Sequence, residues 1–472
     1  MQLSTTYLNR WVELFEGVYG SETHKQIQAV SRLYNRHAGP VTSTRVERPE
    51  LLDPGFYCAA CNHSPIDLLI PDLTVRPDAA QAMGIPGGGK GHAQYQAFLG
   101  ALGELSERLV SVFHFPAIVD QLEFGSWTEL RDRGLNSLNP ARLPLFAPEQ
   151  YEQKDFPFVP FREDTPLRWI RGTYLLSGED VFVPAQLYLL YYKRAAGEPL
   201  IGYPTSGGLA FHPERQRAIL HALYEFIERD AINVRWYCRL APPQVKIDLS
   251  AFVHAQWHLR HTRISTPSLN NFQLYANTLD VPIPIFTVVT YDNSKKQGAF
   301  LGAGGAWSHR DRALAQALFE LGQTRAVLNA YKPGPNPIRA DSNIKEMTEF
   351  LHGAIYFGFK ENRSLLDWYS SGESVDWDDI ESLPFENTST EYMAALQMVE
   401  RTGLNPIVLD FSATGWGGAS VLRVIVPELT GACVAAHPYL GHPRYNELPC
   451  RMGLAARPLR FCDLNRDPIP FP

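Results

Sequence analysis

The chain of 472 residues has a net charge of −7, with 45% hydrophobic and 20% charged residues, an ordinary composition for a globular protein. Because it has no run of five or more basic residues and no apolar run near the ~18 residues of a membrane span, the sequence predicts neither a nucleic-acid partner nor a membrane segment. The first residues lack a basic stretch followed by an apolar one, so we expect no signal peptide, and the six cysteines are too few for a disulfide framework. We therefore expect a cytoplasmic protein with reduced thiols.

Residues 1–80 are predicted to form an N-terminal region of unassigned role, followed by a larger domain over 81–472. The region opens with an amphipathic helix, YLNRWVELFEGVYG, and later becomes rich in proline. Cys58 and Cys61 form a CxxC motif, but no second CxxC or CxxH follows to complete four zinc ligands. Free thiols are therefore favoured over a metal or redox role.

A glycine-rich segment, GIPGGGKGHAQ, begins at Gly84. Gly84, Gly89 and Lys90 have the spacing of a phosphate-binding P-loop, but Gly91 stands where the Mg²⁺-ligating serine or threonine is required. The segment is therefore either a chance glycine-rich turn or a phosphate site of another kind.

Three pairs of β-branched and aromatic runs predict antiparallel strand pairs. They are RWIRGTYLLSGEDVFVPAQLYLLYY, PIPIFTVVTYDNSKKQGAFLGAGGAW, and NPIVLDFSA with VLRVIVPEL. Residues 331–390 are rich in Pro, Asn, Asp and Ser, which predicts long loops with one helix near 343–352. Because long helices lie between the strand pairs, the fold class is α+β and not a doubly wound parallel sheet, which argues against the P-loop.

Three predicted helices share the pattern Ala-Leu-x-Glu-x-x-(Glu or Gln), with an arginine close behind. Residues at i and i+3 lie on one helix face, so each helix presents two oxygen-bearing side chains together. The pairs are Glu104 with Glu107, Glu225 with Glu228, and Glu320 with Gln323.

Two explanations compete for this pattern. An exposed i,i+4 ion pair, such as Glu104 with Arg108 or Glu225 with Arg229, contributes only ~0.3–0.5 kcal/mol. The apolar flanks of all three helices favour burial instead, and four buried carboxylates are costly unless cations compensate them. Two Mg²⁺ ions would do so, with Lys90 facing a phosphate and the glycines before it admitting backbone N–H groups. The repetition favours this carboxylate–Mg²⁺ nucleotide site.

As a set, these motifs resemble those of the YcaO family. GKGHAQYQAFLGALGELSERL is similar to the family's GKG and GExxER signature, TSGGLAFHPERQRAILHALYEFIERDA to its second signature, and GAGGAWSHRDRALAQALFELGQTR to its third. VLRVIVPEL is similar to its VRVxVPGxE segment, so the resemblance spans residues 85–472. It implies a YcaO-type fold whose long helices bind ATP and Mg²⁺ and which activates a peptide amide oxygen by phosphorylation. The implied metal ligands are Glu104, Glu107, Glu225 and Glu228. The implied nucleotide-binding residues are Lys90, Glu104, Arg108, His221, Glu225, Arg235, Gln316, Glu320, Gln323 and Arg325.

The chain ends in DPIPFP, where Pro468, Pro470 and Pro472 form a PxPxP tail. Taken alone, this is a polyproline II segment and most often a loose end. It also resembles the C-terminus of azoline-forming YcaO cyclodehydratases, whose tail reaches into the active site. The resemblance therefore assigns the three prolines to the catalytic site.

Three positions depart from the family pattern, and one of them removes a bidentate phosphate donor that a nearby arginine could replace. The departures are Gln316 for arginine, Gly207 for asparagine and Gly100 for serine; the candidate replacements are Arg312, Arg325 and Arg235.

The leading hypothesis is an ATP-dependent cyclodehydratase subunit that converts Cys, Ser or Thr of a ribosomally made precursor peptide to azolines. One alternative is a thioamide-forming YcaO protein, against which the PxPxP tail argues. Another is a YcaO-like scaffold without turnover, which the three departures favour and the intact glutamates oppose. The resemblance further implies a separate E1-like or ThiF-like leader-binding partner and a homodimer core, and it allows a flavin dehydrogenase as a further partner.

Overall fold

The computed structural model describes residues 25, 41–47, 57–63, 87–91, 93–249, 272–291, 299–330, 336–412 and 418–471. The strands are β1 (Val41–Glu47), β2 (Tyr57–His63), β3 (Gly87–Gly91), β4 (Glu123–Gly125), β5 (Leu167–Tyr174), β6 (Asp180–Pro184), β7 (Leu209–His212), β8 (Gln244–Lys246), β9 (Phe272–Ala276), β10 (Phe286–Tyr291), β11 (Ala299–Ala303), β12 (Ser374–Asp376), β13 (Ile407–Asp410) and β14 (Ser420–Ile425). The α-helices are α1 (Gln94–Ile118), α2 (Trp127–Asp132), α3 (Pro148–Tyr151), α4 (Ala185–Tyr188), α5 (Arg215–Tyr237), α6 (Arg310–Ala330), α7 (Phe350–Phe357), α8 (Thr388–Arg401) and α9 (Arg444–Arg451).

The strands form three sheets, with the orders β1-β2-β3, β11-β10-β9-β8-β12 and β4-β5-β13-β14-β7, and β6 pairs with β5 beside the third path. Among the described residues, every strand pair is antiparallel except β8 with β12. The three predicted strand pairs are β5–β6, β10–β11 and β13–β14. The α+β fold class is therefore confirmed.

The glycine-rich segment is strand β3 and not a turn or a loop. A Cβ atom on Gly89 would lie 1.8 Å from the carbonyl oxygen of Ala97, and one on Gly87 would meet the backbone of α1 at 2.2 Å. Alternate glycines therefore let β3 press directly onto α1, while Gly88 and Lys90 lie on the opposite face of the strand. This antiparallel edge strand excludes a P-loop, which requires a loop between a parallel strand and a helix.

The predicted N-terminal region is described only in part. Its opening helix lies outside the described residues. Strand β1 pairs with β2 and β2 pairs with β3, so the sheet crosses the predicted boundary at residue 80. Cys58 and Cys61 are free thiols on β2. Because they stand three residues apart on a strand, their side chains leave opposite faces, which does not suit a shared metal or redox site.

The predicted helix near 343–352 begins later than expected. A 3₁₀ turn covers Ile344–Glu346, and α7 starts at Phe350, because Glu349 has an extended conformation and is the N-cap residue. The other three predicted helices lie within α1, α5 and α6. Helices α5 and α6 contribute many residues to the largest apolar cluster, between the sheets. No helix in the described part of the chain is long and apolar enough to cross a membrane.

The packing of β3 on α1 predicts the effect of Gly89→Ala. The added methyl group would collide with two backbone atoms of α1, so we expect the free energy of unfolding to fall by at least ~1–3 kcal/mol. Gly103→Ala is the matched control, because its Cβ would meet only Phe211, at 3.7 Å, and alanine favours a helix by up to ~1 kcal/mol. Denaturant unfolding measures both; equal stabilities of the two variants would contradict this packing.

Candidate active site

The three signature helices meet at one site. Helices α1 and α5 both pack on β7 and β14, and α6 packs on β3. This arrangement turns the glutamate faces of α1 and α5 toward each other. Their closeness is evident from the electrostatics: the charge of Glu225 raises the pKa of Glu107, and the charge of Glu104 raises the pKa of Glu225. The carboxylates predicted from the ExxE spacing are therefore brought together.

Backbone amides from neighbouring elements orient three of these glutamates. Glu225, for example, accepts a hydrogen bond from Gly208, which has φ = 76°. This left-handed conformation suits glycine and lies in the TSGG turn that precedes β7. The three donor–acceptor pairs are Gly88 N–H to Glu104 (2.6 Å), Gly208 N–H to Glu225 (3.3 Å) and Ala306 N–H to Glu228 (3.1 Å).

Burial and mutual repulsion disfavour the charged forms of these carboxylates. Burial raises the pKa of Glu107 well above its ordinary value, and the charge of Glu225 raises it further. Burial likewise raises the pKa of Glu225 and raises that of Glu228 to about 7, although Arg229 opposes both shifts. Without a compensating cation, the site therefore favours the protonated forms of these carboxyl groups.

The cations at the site are already paired with carboxylates. Lys90 forms an ion pair with Glu320 of α6, and Arg108 forms one with Glu104 on its own helix. Burial lowers the pKa of Lys90, while Glu104 and Glu228 raise it. The side chain of Lys90 therefore extends from β3 toward the carboxylates, as expected for a group that binds a phosphate there.

The donor set fits Mg²⁺. Carboxylate oxygens are the hard ligands that this ion prefers. The raised pKa values of Glu107, Glu225 and Glu228 show that their charged forms are disfavoured, and a divalent cation would stabilise those forms. Within the described ranges, no three His, Cys, Asp or Glu side chains stand ready in a metal-ligating arrangement. The glutamates would therefore have to close around the ion.

Helix α6 adds polar groups on the other side of β3. The amide nitrogen of Gln323 lies 1.8 Å from the position of a Cβ on Gly88, so a larger residue there would displace the Gln323 amide. Gln316 packs beneath Gly305, next to the Ala306 amide that binds Glu228. Arg325 is buried on the same helix.

His221 belongs to a cationic part of the cleft. Desolvation, together with the positive charges of Arg312, His212 and Arg217, lowers the pKa of His221 to about 3, so the ring is neutral. It packs edge-on against Trp307 at 5.0 Å, and Arg312 lies over the same indole at 3.5 Å. Of the three candidate replacements for the missing arginine, Arg312 is thus the one placed beside His221.

Arg235 does not join this group. It lies seven residues beyond Glu228 on α5, where its guanidinium donates to the carbonyl oxygens of Ala241 and Thr278. Its charge acts on Tyr369, whose ring contacts Phe471 of the tail. The structure therefore places Arg235 on the tail side of α5.

Sequence reasoning missed Arg423, which faces the carboxylates from β14. It is 2% exposed, donates to the carbonyl oxygen of Thr205, and its charge lowers the pKa of both Glu107 and Glu225. An arginine inside the apolar strand VLRVIV was the available signal, because a buried guanidinium needs a partner of opposite charge.

The tail is docked and not loose. Pro468, Ile469, Pro470 and Phe471 are all buried, and the indole N–H of Trp236 donates to the carbonyl oxygen of Asp467 at 3.1 Å. Phe471 packs edge-on against Trp236 at 6.3 Å. The tail thus reaches the C-terminal end of the helix that carries Glu225 and Glu228; Pro472 lies outside the described residues.

Residues 88–430 match the family described as YcaO cyclodehydratase, ATP- and Mg²⁺-binding. The chain belongs to the YcaO family. This confirms the recognition drawn from the three signatures, and it confirms ATP and Mg²⁺ as the cofactors.

Two uncharacterised proteins show sequence similarity to this chain. The protein is 27% identical over 273 residues to one from Methanothermobacter thermautotrophicus, covering 56% of this chain and 65% of the relative. It is 31% identical over 171 residues to a protein encoded in the tfuA 3′ region of Rhizobium leguminosarum bv. trifolii, covering 34% of this chain and 39% of the relative. The chain thus spans less than two thirds of the length of either relative.

Three solved structures share the YcaO fold at low sequence identity. A heterocyclase in complex with substrate and cofactor has a TM-score of 0.72 at 20% identity, covering 96% of this chain and 57% of its own. YcaO from Methanopyrus kandleri bound with AMPPCP and Mg²⁺ has a TM-score of 0.56 at 17% identity, covering 90% and 91%. The E. coli microcin synthetase McbBCD complex with pro-MccB17 bound has a TM-score of 0.54 at 14% identity, covering 93% and 99%. These likenesses confirm the predicted YcaO-type fold.

The electrostatics predict a pH-dependent effect of Glu228→Gln. Folding raises the pKa of Glu228 from 4.5 to about 7. The contribution of the protonated Glu228 to the free energy of unfolding is therefore fully present below pH 4.5 and is lost as the pH rises through 7. Glutamine cannot ionise, so without metal the variant should be more stable than the parent by about 3 kcal/mol at pH 8, and the two should have similar stability at pH 4.5.

Denaturant unfolding with a chelator at both pH values measures this difference. Glu400→Gln, at an exposed position on α8, is the control and should change stability little at either pH. An equal effect of Glu228→Gln at pH 4.5 and pH 8 would contradict the proposed burial of this charge.

Proposed function

We propose that the chain is the ATP-dependent cyclodehydratase subunit that converts Cys, Ser or Thr of a ribosomally made precursor peptide to azolines. The observation that carries the proposal is the carboxylate cluster: four glutamates from two helices share one partly buried site beside Lys90, in a chain whose family binds ATP and Mg²⁺.

Each group has a role that follows from its position. Glu104, Glu107, Glu225 and Glu228 would hold Mg²⁺, which when bound neutralises phosphate charge during phosphoryl transfer. Lys90 would exchange its Glu320 partner for a phosphate oxygen. Gly88, Gly208 and Ala306 keep one oxygen of each accepting carboxylate fixed through their N–H groups, so the glutamates are oriented before the nucleotide arrives.

The proposed reaction is balanced as follows. The thiol or hydroxyl of the precursor attacks the carbon of the preceding amide and gives up its proton, forming a five-membered ring with an oxyanion. That oxyanion attacks the γ-phosphorus of ATP and accepts the γ-phosphoryl group, and ADP is released. The carbon–oxygen bond then breaks, phosphate departs with the former amide oxygen, and the nitrogen loses its proton as the C=N bond forms. The peptide loses one water in total.

The docked tail favours cyclodehydration over the thioamide alternative, which uses an external sulfide. Burial of Pro468 and Pro470 against the end of α5 supports a tail that takes part in the site. By resemblance, Pro472 would then bring its α-carboxylate to the reacting amide.

The three departures from the family pattern have packing explanations, which weakens the case for a scaffold without turnover. Gly100 allows β3 to approach, since its Cβ would lie 3.3 Å from the Cα of Gly89. Gly207 lies in the turn that presents Gly208 to Glu225, and Gln316 fills the space beneath Gly305. None of these changes removes a carboxylate.

The partners are proposed by analogy with neighbouring structures. One neighbour is named as a heterocyclase with substrate and cofactor, and another as a microcin synthetase complex with pro-MccB17 bound. These names support a peptide substrate and a multi-protein assembly. For this chain we propose the precursor peptide, a separate E1-like or ThiF-like leader-binding protein, a homodimer core and a flavin dehydrogenase, in the cytoplasm.

Loss of one metal ligand should abolish ring formation without unfolding the protein. Glu107→Gln keeps the shape of the side chain but removes a ligand charge, so azoline formation should fall at least ~100-fold. The reaction is run with the precursor and the leader-binding partner, and mass spectrometry detects the loss of one water from the precursor. ATP hydrolysis is recorded with and without precursor. Glu400→Gln is the control; near-normal turnover by Glu107→Gln and Glu225→Gln would contradict the site.

Extending the tail should separate cyclodehydration from the rival functions. Two residues added after Pro472 move the terminal carboxylate by roughly 3 Å each if the tail stays extended. Ring formation should then fail while nucleotide affinity persists, because no glutamate-bearing helix is touched. The control is the same two residues inserted at Gly178. This glycine lies in an open hairpin turn, and no atom lies within 4 Å of its Cβ position. Full activity of the extended enzyme would contradict a catalytic role of the tail.

A further inference from the structure

A partly buried ion-pair cluster joins α5 to α9 outside the carboxylate site. Arg444, the first residue of α9, donates to Asp280 at 2.7 and 3.0 Å and to Asp230 of α5 at 2.6 Å. The backbone N–H and the hydroxyl of Thr430 donate to the other oxygen of Asp230, at 2.7 and 3.0 Å. We call Asp230, Asp280 and Arg444 the Arg444 clasp.

Two members of the clasp are shielded from water, whereas Asp280 is 27% exposed and also lies 3.6 Å from the exposed Arg451. The side chain of Arg444 is 11% exposed and that of Asp230 is 2% exposed. A buried bridge of this kind adds little net stability over apolar residues of the same size, but it tolerates only one arrangement of its members. Its forked guanidinium joins two carboxylates from different elements at once. The geometry therefore fixes where α9 begins relative to α5.

The segment that starts at the clasp leads to the tail. Tyr445 packs edge-on against Tyr237 at 5.8 Å, and the N–H of Asn465 donates to the carbonyl oxygen of Tyr237 at 2.7 Å. The segment ends with Phe471 against Trp236. Residues 444–471 are thus attached to the C-terminal half of α5 at both of their ends.

One rigid helix joins the ligands, the clasp and the tail contact. On α5, Asp230 follows Glu228 by two residues and Trp236 follows it by eight, which at 1.5 Å per residue is about 12 Å along the axis. Loss of the clasp would leave the tail held on α5 only by its own contacts with Trp236 and Tyr237, while the glutamates keep their own backbone donors.

We propose that Arg444, acting through Asp230 and Asp280, is a positioning residue that sets where the C-terminal tail lies relative to the carboxylate site. Its effect on ring formation rests on the proposed function, whereas its effect on tail docking does not. Arg444 itself touches neither nucleotide nor peptide in this account.

The test compares Arg444→Met, Asp280→Asn and their double variant in the full chain. Hydrogen exchange of residues 461–471 reports tail docking, calorimetry with AMPPCP and Mg²⁺ reports the nucleotide site, and loss of water from the precursor reports ring formation. We expect faster exchange in this segment, unchanged nucleotide affinity, and a kcat for ring formation lower by about tenfold to a hundredfold, since small misplacements of a reacting group have effects of this size. The double variant should be no worse than Arg444→Met, because both changes break one unit.

Arg171→Met is the matched control. It breaks an ion pair with Asp180 whose side chains are 69% and 55% exposed, and it should change none of the three readouts. Unchanged exchange in folded Arg444→Met protein would overturn the proposal, as would equal losses of nucleotide affinity and ring formation. If Arg444→Met does not fold, Arg444→Lys, which keeps the charge but loses the fork, is judged by the same criteria. If the parent forms no ring with any precursor, the proposed function fails and hydrogen exchange alone decides the clasp.

Discussion

The cost of keeping ionised carboxylates from two helices away from water is the constraint on which the rest of the site depends. Desolvation raises the pKa of Glu107, Glu225 and Glu228, and the charge of Glu225 also raises the pKa of Glu107 and of Glu228. A fold with no use for that charge would replace these side chains with apolar ones. Here the surrounding elements hold the carboxylates in place instead, through backbone amides and the buried guanidinium of Arg423.

The glycine strand β3 is a consequence of the same constraint. Lys90 can reach the carboxylates only if its strand lies against α1, and the strand can do so only because alternate positions have no side chain. The other face of the strand then meets Glu320 and Gln323 of α6. A segment with the composition of a phosphate loop is thus a strand whose glycines allow close packing on α1 and whose one lysine faces the carboxylates.

The glutamate pairs and the strand pairs could be predicted from sequence because each depends on local spacing. The ExxE spacing places Glu225 and Glu228 on one helix face whatever surrounds the helix, and alternating β-branched runs with a turn predict a hairpin. The conformation of GGGKG could not be predicted, because glycine allows both loop and strand and only the backbone of α1 decides between them. The same holds for Arg423 and for the docked tail, whose partners are hundreds of residues away in the chain.

The most direct test of the account is the dependence of nucleotide binding on Mg²⁺. Calorimetric titration of the parent protein with AMPPCP, with Mg²⁺ and with a chelator, asks whether the carboxylates accept a triphosphate only through a cation. The account predicts clear binding with Mg²⁺, little binding with the chelator, and loss of the Mg²⁺-dependent binding in Glu104→Gln. Equal affinity with and without Mg²⁺, or unchanged Mg²⁺-dependent binding in Glu104→Gln, would contradict it.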